Sequence, residues 1–164
     1  MSAPRASYSR DGYGHGDHVA DVMVRFPKTH DPGSRLAEIR AFFEDDHVHM
    51  ALIVALDGRL VTTIERPDLA VALPDSRPAR ELGTLVGRTV APAGRLDAAT
   101  AALLRERRRR LAVVGEGGRL LGLLCLKKDG TGYCSDEGIW ERALQARSGS
   151  RDQVTTTTWT PTAS

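Results

Sequence analysis

Two short runs of this chain carry side chains suited to a charged ligand. Arg105 to Arg110 reads Arg-Glu-Arg-Arg-Arg-Arg, a density of guanidinium that suits phosphate or nucleic acid. It equally suits a solvated helix end, where cations complement the macrodipole. Asp45-Asp46-His47-Val48-His49 places two His at alternate positions, which on a strand share a face and could share an ion. The same run reads as a polar helix-to-strand connection, and with no evident distant ligand no metal site is expected. Cys125 and Cys134 lack Cys-x-x-Cys spacing and do not amount to a disulfide framework. Cys125, on an apolar strand, reads as a small buried hydrophobe, and Cys134 as an exposed loop thiol open to redox chemistry. The Gly-rich loop from Gly130 to Asp136 has no Gly-Lys-Ser/Thr ending and is not a P-loop. Neither a Gly-x-Ser-x-Gly elbow nor a His-Glu-x-x-His helix occurs, so no enzyme is expected.

Bulk properties narrow the partners. The 164 residues suffice for one domain or two half-sized repeats sharing a core. Net charge is only +2 and aromatic content 5%, which together disfavour a nucleic-acid surface. No apolar run reaches the length of a membrane span, and the first residues lack the apolar core of a secretory signal, so a cytoplasmic location is expected.

The elements that position these residues come in two copies. At an offset of sixty residues Thr29 falls on Thr89, Pro32 on Pro92, Arg35-Leu36 on Arg95-Leu96, and Gly58-Arg59-Leu60 on Gly118-Arg119-Leu120. A fixed period sets architecture before any residue is given a role. In the first copy Leu36, Ile39, Phe42 and Phe43 have helical spacing over Ser34 to Phe43, with Asp31 and Ser34 as candidate caps. Met50 to Leu56 is a buried strand, Asp57-Gly58 a hairpin turn, Arg59 to Glu65 the returning strand, and Pro67 starts a short helix through Leu73. In the second copy the helix runs Asp97 to Arg108, the strands Leu111 to Val114 and Arg119 to Leu126, and a closing helix Ser135 to Gln145. The pattern is β-α-β-β-α twice, an α/β or α+β fold with pseudo-twofold symmetry. Repeats are expected over 18–77 and 78–146, with flexible tails at 1–17 and 147–164.

The helix, the Leu-Ala-Val-Val strand, the Gly-Gly-Arg-Leu turn and the Leu-Gly-Leu-Leu strand resemble the CBS domain. Val19-Ala20-Asp21-Val22-Met23 resembles its usual start, and Thr29/Pro32 and Thr89/Pro92 match its Thr-x-x-Pro spacing. The resemblance covers about residues 18 to 145 as a tandem pair, or Bateman module, of the small stand-alone, actinobacterial-like type. It implies a regulatory sensor that binds AMP, ADP, ATP or S-adenosylmethionine between the repeats, signals to a regulated partner protein and forms a homodimer. A ligand-free scaffold for protein interaction is the alternative.

The family's nucleotide signature, Gly-x-x-Thr/Ser-x-x-Asp, is incomplete in both copies. In Thr62 to Asp68 the Asp stands at the ribose position, Thr62 replaces the Gly that would let ligand approach the backbone, and Glu65 replaces the hydroxyl residue. In Gly122 to Lys128 the Gly is present, Cys125 takes the hydroxyl position and Lys128 that of the Asp, with Asp129 one residue later. The resemblance pairs Asp68 with Thr89 and Asp129 with Thr29. It sets Arg109 and Arg110 against ligand phosphate, with His49 as their equivalent in the first copy. Thr29 and Thr89 can equally serve turn hydrogen bonds.

Overall fold

The computed structural model describes residues 16–138 together with Glu141 and Leu144. The tails expected at 1–17 and 147–164 lie outside the described residues, save Gly16 and Asp17. The helices are α1 (Val19–Val22), α2 (Leu36–Phe42) and α3 (Leu96–Arg105). The strands are β1 (Ala51–Val54), β2 (Leu60–Ile64), β3 (Thr89–Val90), β4 (Arg110–Val114) and β5 (Leu120–Cys125). Short 3₁₀ turns cover Arg66–Ala70, Ala79–Glu81 and Glu116–Gly118. Of the closing helix, Asp136, Glu137, Gly138, Glu141 and Leu144 are helical and the other residues from Ile139 on lie outside the described residues.

The sixty-residue period is reproduced in hydrogen-bond register. In the antiparallel β1–β2 hairpin Ala51 faces Ile64, Leu52 faces Thr63 and Ile53 faces Thr62, with an irregularity before Val54. In β4–β5 Leu111 faces Leu124, Ala112 faces Leu123 and Val113 faces Gly122, with the same irregularity before Val114. β3 runs parallel to β4, with Val90 opposite Val113. Its first-half counterpart shrinks to one bridge, His30 to Ile53, so that sheet has two strands where the other has three.

The two halves interlock. His18 bridges Arg95 as Pro78 bridges Arg35, and Val24 bridges Leu123 as Thr84 bridges Thr63. Each leading segment therefore pairs with the other half's hairpin. Close approach is required there, and a glycine supplies it on alternate sides. A Cβ on Gly83 would overlap the Thr62 hydroxyl and the Thr63 carbonyl, and one on Gly122 would overlap the Val24 carbonyl. The signature glycine Gly122 thus makes room for the neighbouring segment at Val24. Thr62 stands in that place because Gly83 already gives the room.

α2 and α3 each bury the same face. Leu36 and Ile39 face inward with Phe43 at the helix end, as Leu103 and Ala99 do in the second half. The caps differ from those expected. Arg35 and Arg95 hold the N-cap positions without side-chain bonds, and the Asp31 carboxylate accepts the Gly33 amide instead. The first helical amides are taken by backbone carbonyls, Leu36 by Arg77 and Leu96 by Asp17. α3 stops three residues short of Arg108, because Arg107 turns left-handed at φ 55°.

Successive residues of β1 enter different cores, as the unbroken apolar run requires. Leu52 joins Met50, Leu60, Ala112, Leu123 and Val24 in a core built from both halves. Ala51 and Ile53 turn to Ile39, Phe43 and Ile64, and Val113 and Leu124 join Val19 and Leu103. Leu52→Ala is therefore expected to cost about 2–5 kcal/mol.

Candidate functional site

A crevice opens between the end of β2 and the segment leading into β3. The turn Arg66–Ala70 holds Asp68 through a reciprocal cap with Glu65, whose amide donates to Asp68 Oδ2 at 2.8 Å. Against it lies Arg88, the residue before Thr89. Its Nη1 donates to Asp68 Oδ2 at 2.6 Å, its Nη2 to Oδ1 at 3.0 Å, and Nη1 also to the Thr63 carbonyl at 3.2 Å. Glu65 lies 3.5 Å from Arg88 and 3.7 Å from Arg108. The Arg88 side chain is 7% exposed and that of Asp68 17%, so this is a largely desolvated ion cluster, which Glu106 joins from its more exposed side, 3.3 Å from Arg108. Burial opposes ionisation of Asp68, but the Arg88 hydrogen bonds, the Glu65 amide and the guanidinium charges outweigh it and hold the carboxyl below its usual value.

Beside the cluster lies a cavity of about 350 Å³ walled by α3, β3 and the start of β4. Ala98, Ala99 and Ala102 make an apolar wall, Thr89 and Gly87 the opposite lip, and Arg95 and Arg108 flank it. Such a volume falls within the roughly 300–1,000 Å³ of small-molecule sites. In the first half the residue sixty earlier than Ala102 is Phe42. Its ring stacks edge-on against His30 at 4.6 Å and takes the Lys28 ammonium at 5.0 Å. The position matching the alanine wall thus carries an aromatic ring.

A second group gathers where the halves meet. Arg109 Nη1 lies 2.9 Å from His49 Nε2, and these two residues are sixty apart. Arg59 and Arg119, also sixty apart, bridge at another point of the interface. Each pair therefore sits on the pseudo-twofold axis. Burial, then Arg110, Arg109, Arg66 and His47, push the His49 imidazole down to about 4. At neutral pH the ring is uncharged and accepts from Arg109. Among the described residues no carboxylate lies within 4 Å of the Arg109 guanidinium. The Arg105–Arg110 run is thus divided. Arg105 and Arg107 stay exposed at the helix end, whereas Arg108 turns to the Gly87 carbonyl and Glu65, and Arg109 and Arg110 turn to the interior and the Leu126 carbonyl.

The counterpart of the first crevice is built differently. Cys125 and Cys134 are joined by a disulfide and both are buried, which corrects the expectations of unlinked cysteines and of an exposed Cys134. The cause is a hairpin. Asp129-Gly130 turns the chain, with Gly130 left-handed at φ 73°, so Lys127 pairs with Gly132, Leu126 with Tyr133, and Cys134 returns beside Cys125. The two cysteines stand symmetrically about Asp129-Gly130 in the sequence, a signal that spacing alone could have given. Asp129 is exposed, and its Oδ1 accepts the Thr131 amide at 3.0 Å and hydroxyl at 2.7 Å. Among the described residues no hydrogen bond joins it to Thr29, which is exposed. The Asp136 carboxylate accepts the Arg25 and Phe26 amides at 3.1 Å, tying down the segment ahead of Thr29.

Of the residues singled out from sequence, the structure brings Asp68 to the segment bearing Thr89, and His49 to Arg109 and Arg110. It leaves Asp129 apart in its own turn. Asp45 Oδ1 accepts the His47 amide at 2.9 Å, closing the turn before His49. Arg88 was missed, since nothing in Gly87-Arg88-Thr89 marks it beyond its place next to the threonine.

This is the fold of a tandem CBS domain pair. The cystathionine beta-synthase pair domain of a Shewanella oneidensis MR-1 protein superposes with a TM-score of 0.59 at 19% identity, over 68% of this chain and 66% of that one. The CBS domain protein PAE2072 from Pyrobaculum aerophilum, complexed with AMP, gives 0.55 at 21% identity over 69% and 94%. The CBS domain pair of MJ0100, in complex with 5′-methylthioadenosine and S-adenosyl-L-methionine, gives 0.53 at 21% identity over 66% and 92%. No protein-family model matches the sequence, and no curated protein matches it.

Proposed function

We propose that this chain is a regulatory ligand sensor that binds one adenosine compound in the crevice between Asp68, Thr89 and α3. The observation that carries this reading is the cavity of about 350 Å³ beside Thr89, whose wall has Ala102 at the position where the first half carries Phe42. An adenine base fits the alanine wall, and its phosphates meet the cations that line the cavity, Arg95 and Arg108, the latter beside Glu106. Complexes of CBS pairs with AMP and with S-adenosyl-L-methionine support this ligand class. Thr29 and Asp129 belong to the other crevice, to which we assign no ligand. In this reading the two repeats span 18–77 and 78–146, the protein acts in the cytoplasm as a homodimer, and a regulated partner protein reads the liganded state. Among the described residues no helix is long and apolar enough to cross a membrane.

A thermal-shift screen with AMP, ADP, ATP and S-adenosylmethionine tests the reading. A ligand at a hundred times its Kd stabilises by about 2.7 kcal/mol, a shift of several degrees. No shift with any of them at millimolar concentration contradicts it. The saturation of Asp68 by Arg88 favours a second reading, a ligand-free interaction scaffold, which expects that null result and constant capture of one partner regardless of nucleotide.

A further inference from the structure

We infer that the cavity accepts a ligand bearing one phosphate group and turns away a longer phosphate chain, and that Glu106 sets this limit. The inference rests on the nucleotide reading above and narrows its ligand to the monophosphate class.

The charges around the cavity are already matched. Two guanidiniums, Arg95 and Arg108, line it, and each has a carboxylate beside it. Arg95 donates from Nε to Asp97 Oδ1 at 3.2 Å and from Nη2 to Oδ2 at 3.0 Å. Arg108 Nε lies 3.3 Å from Glu106, itself a lining residue, and Arg108 Nη1 lies 3.7 Å from Glu65. The lining cations and their partners thus comprise two guanidiniums and three carboxylates. Arg88 and Asp68, behind Glu65, add one charge of each sign and leave that excess unchanged. The Arg109 guanidinium lies outside the lining.

A phosphate that reaches Arg108 therefore takes the place of a carboxylate. Glu106 can give way, because it is the more exposed of the pair and stands at the C-cap of α3. Glu65 cannot, since it is largely buried against Arg88. One phosphate then finds one guanidinium. Each further phosphate carries more negative charge towards a rim that holds Glu106 and Asp97, and like charges repel. Size acts in the same direction, because about 350 Å³ lies near the lower end of the roughly 300–1,000 Å³ of small-molecule sites. The helix itself gives no reason for Glu106, since a C-terminal cap favours cations. The first half supplies the control. There Asp46 and Val48 stand at the positions of Glu106 and Arg108, and Ala37 at that of Asp97. The matched charges are therefore a feature of this cavity, not of the repeat.

The test compares AMP with ATP in magnesium-free buffer, by isothermal titration against the wild-type protein and Glu106→Gln. The wild type is expected to bind AMP more tightly than ATP by about tenfold, the scale of one like-charge contact near a protein surface, and Glu106→Gln should cut that ratio to about threefold or less by raising the affinity for ATP. The wild-type preference should also narrow as salt is raised, since screening weakens a repulsion. Circular dichroism melting establishes that the variant is folded, and if it is not, the wild-type ratio and its salt dependence decide alone. ATP bound by the wild type as tightly as AMP, or more tightly, overturns the inference and leaves the nucleotide reading standing. A folded Glu106→Gln that keeps the wild-type ratio, or a preference that widens with salt, overturns it too. If neither nucleotide binds either protein at millimolar concentration, the nucleotide reading itself fails, and the inference with it.

Discussion

The hairpins of the two halves share one register, yet the crevices beside them are built from different side chains. In the first half α2 carries Phe42, and His30 and Lys28 close around its ring. In the second half α3 carries Ala102 at the same place, and a cavity remains. One crevice is lined by an ion cluster of Asp68, Glu65, Arg88 and Arg108, whereas the other has Lys128, a disulfide and a self-closed hairpin. Hydrogen-bond register depends on backbone and on burial pattern, which tolerate exchange of side chains on the rim. A duplicated scaffold can therefore keep one site and abandon its twin.

Substitutions at matched positions sharpen this comparison. The largest expected effect is at the ion cluster. Arg88→Met leaves Asp68 and Glu65 buried without their main cation and should destabilise by about 3–5 kcal/mol. Lys28→Met, at the matching place, loses a cation–π contact at an exposed residue and should cost about 1 kcal/mol or less. Urea melts of the two variants measure the difference, and equal losses would break the asymmetry.

Next comes the disulfide. It closes a short loop, its cysteines nine residues apart in sequence, and chain entropy assigns it about 2–3 kcal/mol. Dithiothreitol should lower the melting temperature of the wild type and leave Cys134→Ser unmoved. A wild type indifferent to reductant, with two titratable thiols after denaturation, would remove the link.

Ala102→Phe puts into the second half the ring that fills the first. Filling a cavity commonly stabilises by about 0.5–2 kcal/mol, and here it should also abolish ligand-induced thermal shifts. Retained shifts would move the ligand elsewhere.

A further prediction concerns pH. His49 is neutral in the fold, with its value pushed down to about 4, and it protonates near 6.5 once unfolded. Between those values the unfolded chain binds more protons, so stability should decline as pH falls from 6.5 towards 4 and should not depend on His49 above that window. His49→Gln should flatten that slope. Asp68 acts in the same direction but lower, since its carboxyl is depressed. Its contribution is complete above the ordinary carboxylate range and is lost as pH falls below about 3.8, through the lowered folded value.

Much of the fold was legible because a period of sixty residues, helical spacing in α2 and α3 and unbroken apolar strands each leave marks in the sequence. The site was legible only in part. Asp68, Thr89, His49, Arg109 and Arg110 were singled out from the family resemblance, and the structure brings Asp68 to the segment bearing Thr89 and His49 to Arg109. Arg88 was not, because its role comes from Asp68, twenty residues earlier, folding back against it. A glycine reports a close approach without saying what approaches, and at Gly122 the structure shows the Val24 carbonyl there. The cysteines misled because their separation was weighed without the Asp129-Gly130 turn centred between them. The helix caps were misplaced because carbonyls from distant segments, Arg77 and Asp17, do the work assigned to local side chains.

The central claim, one ligand held in one crevice, is tested most directly by isothermal titration of AMP into the wild-type protein and into Ala102→Phe. The account predicts saturable binding of one AMP per chain in the wild type and none in Ala102→Phe with its fold intact. Two AMP molecules per wild-type chain, or undiminished binding to the filled variant, would contradict it.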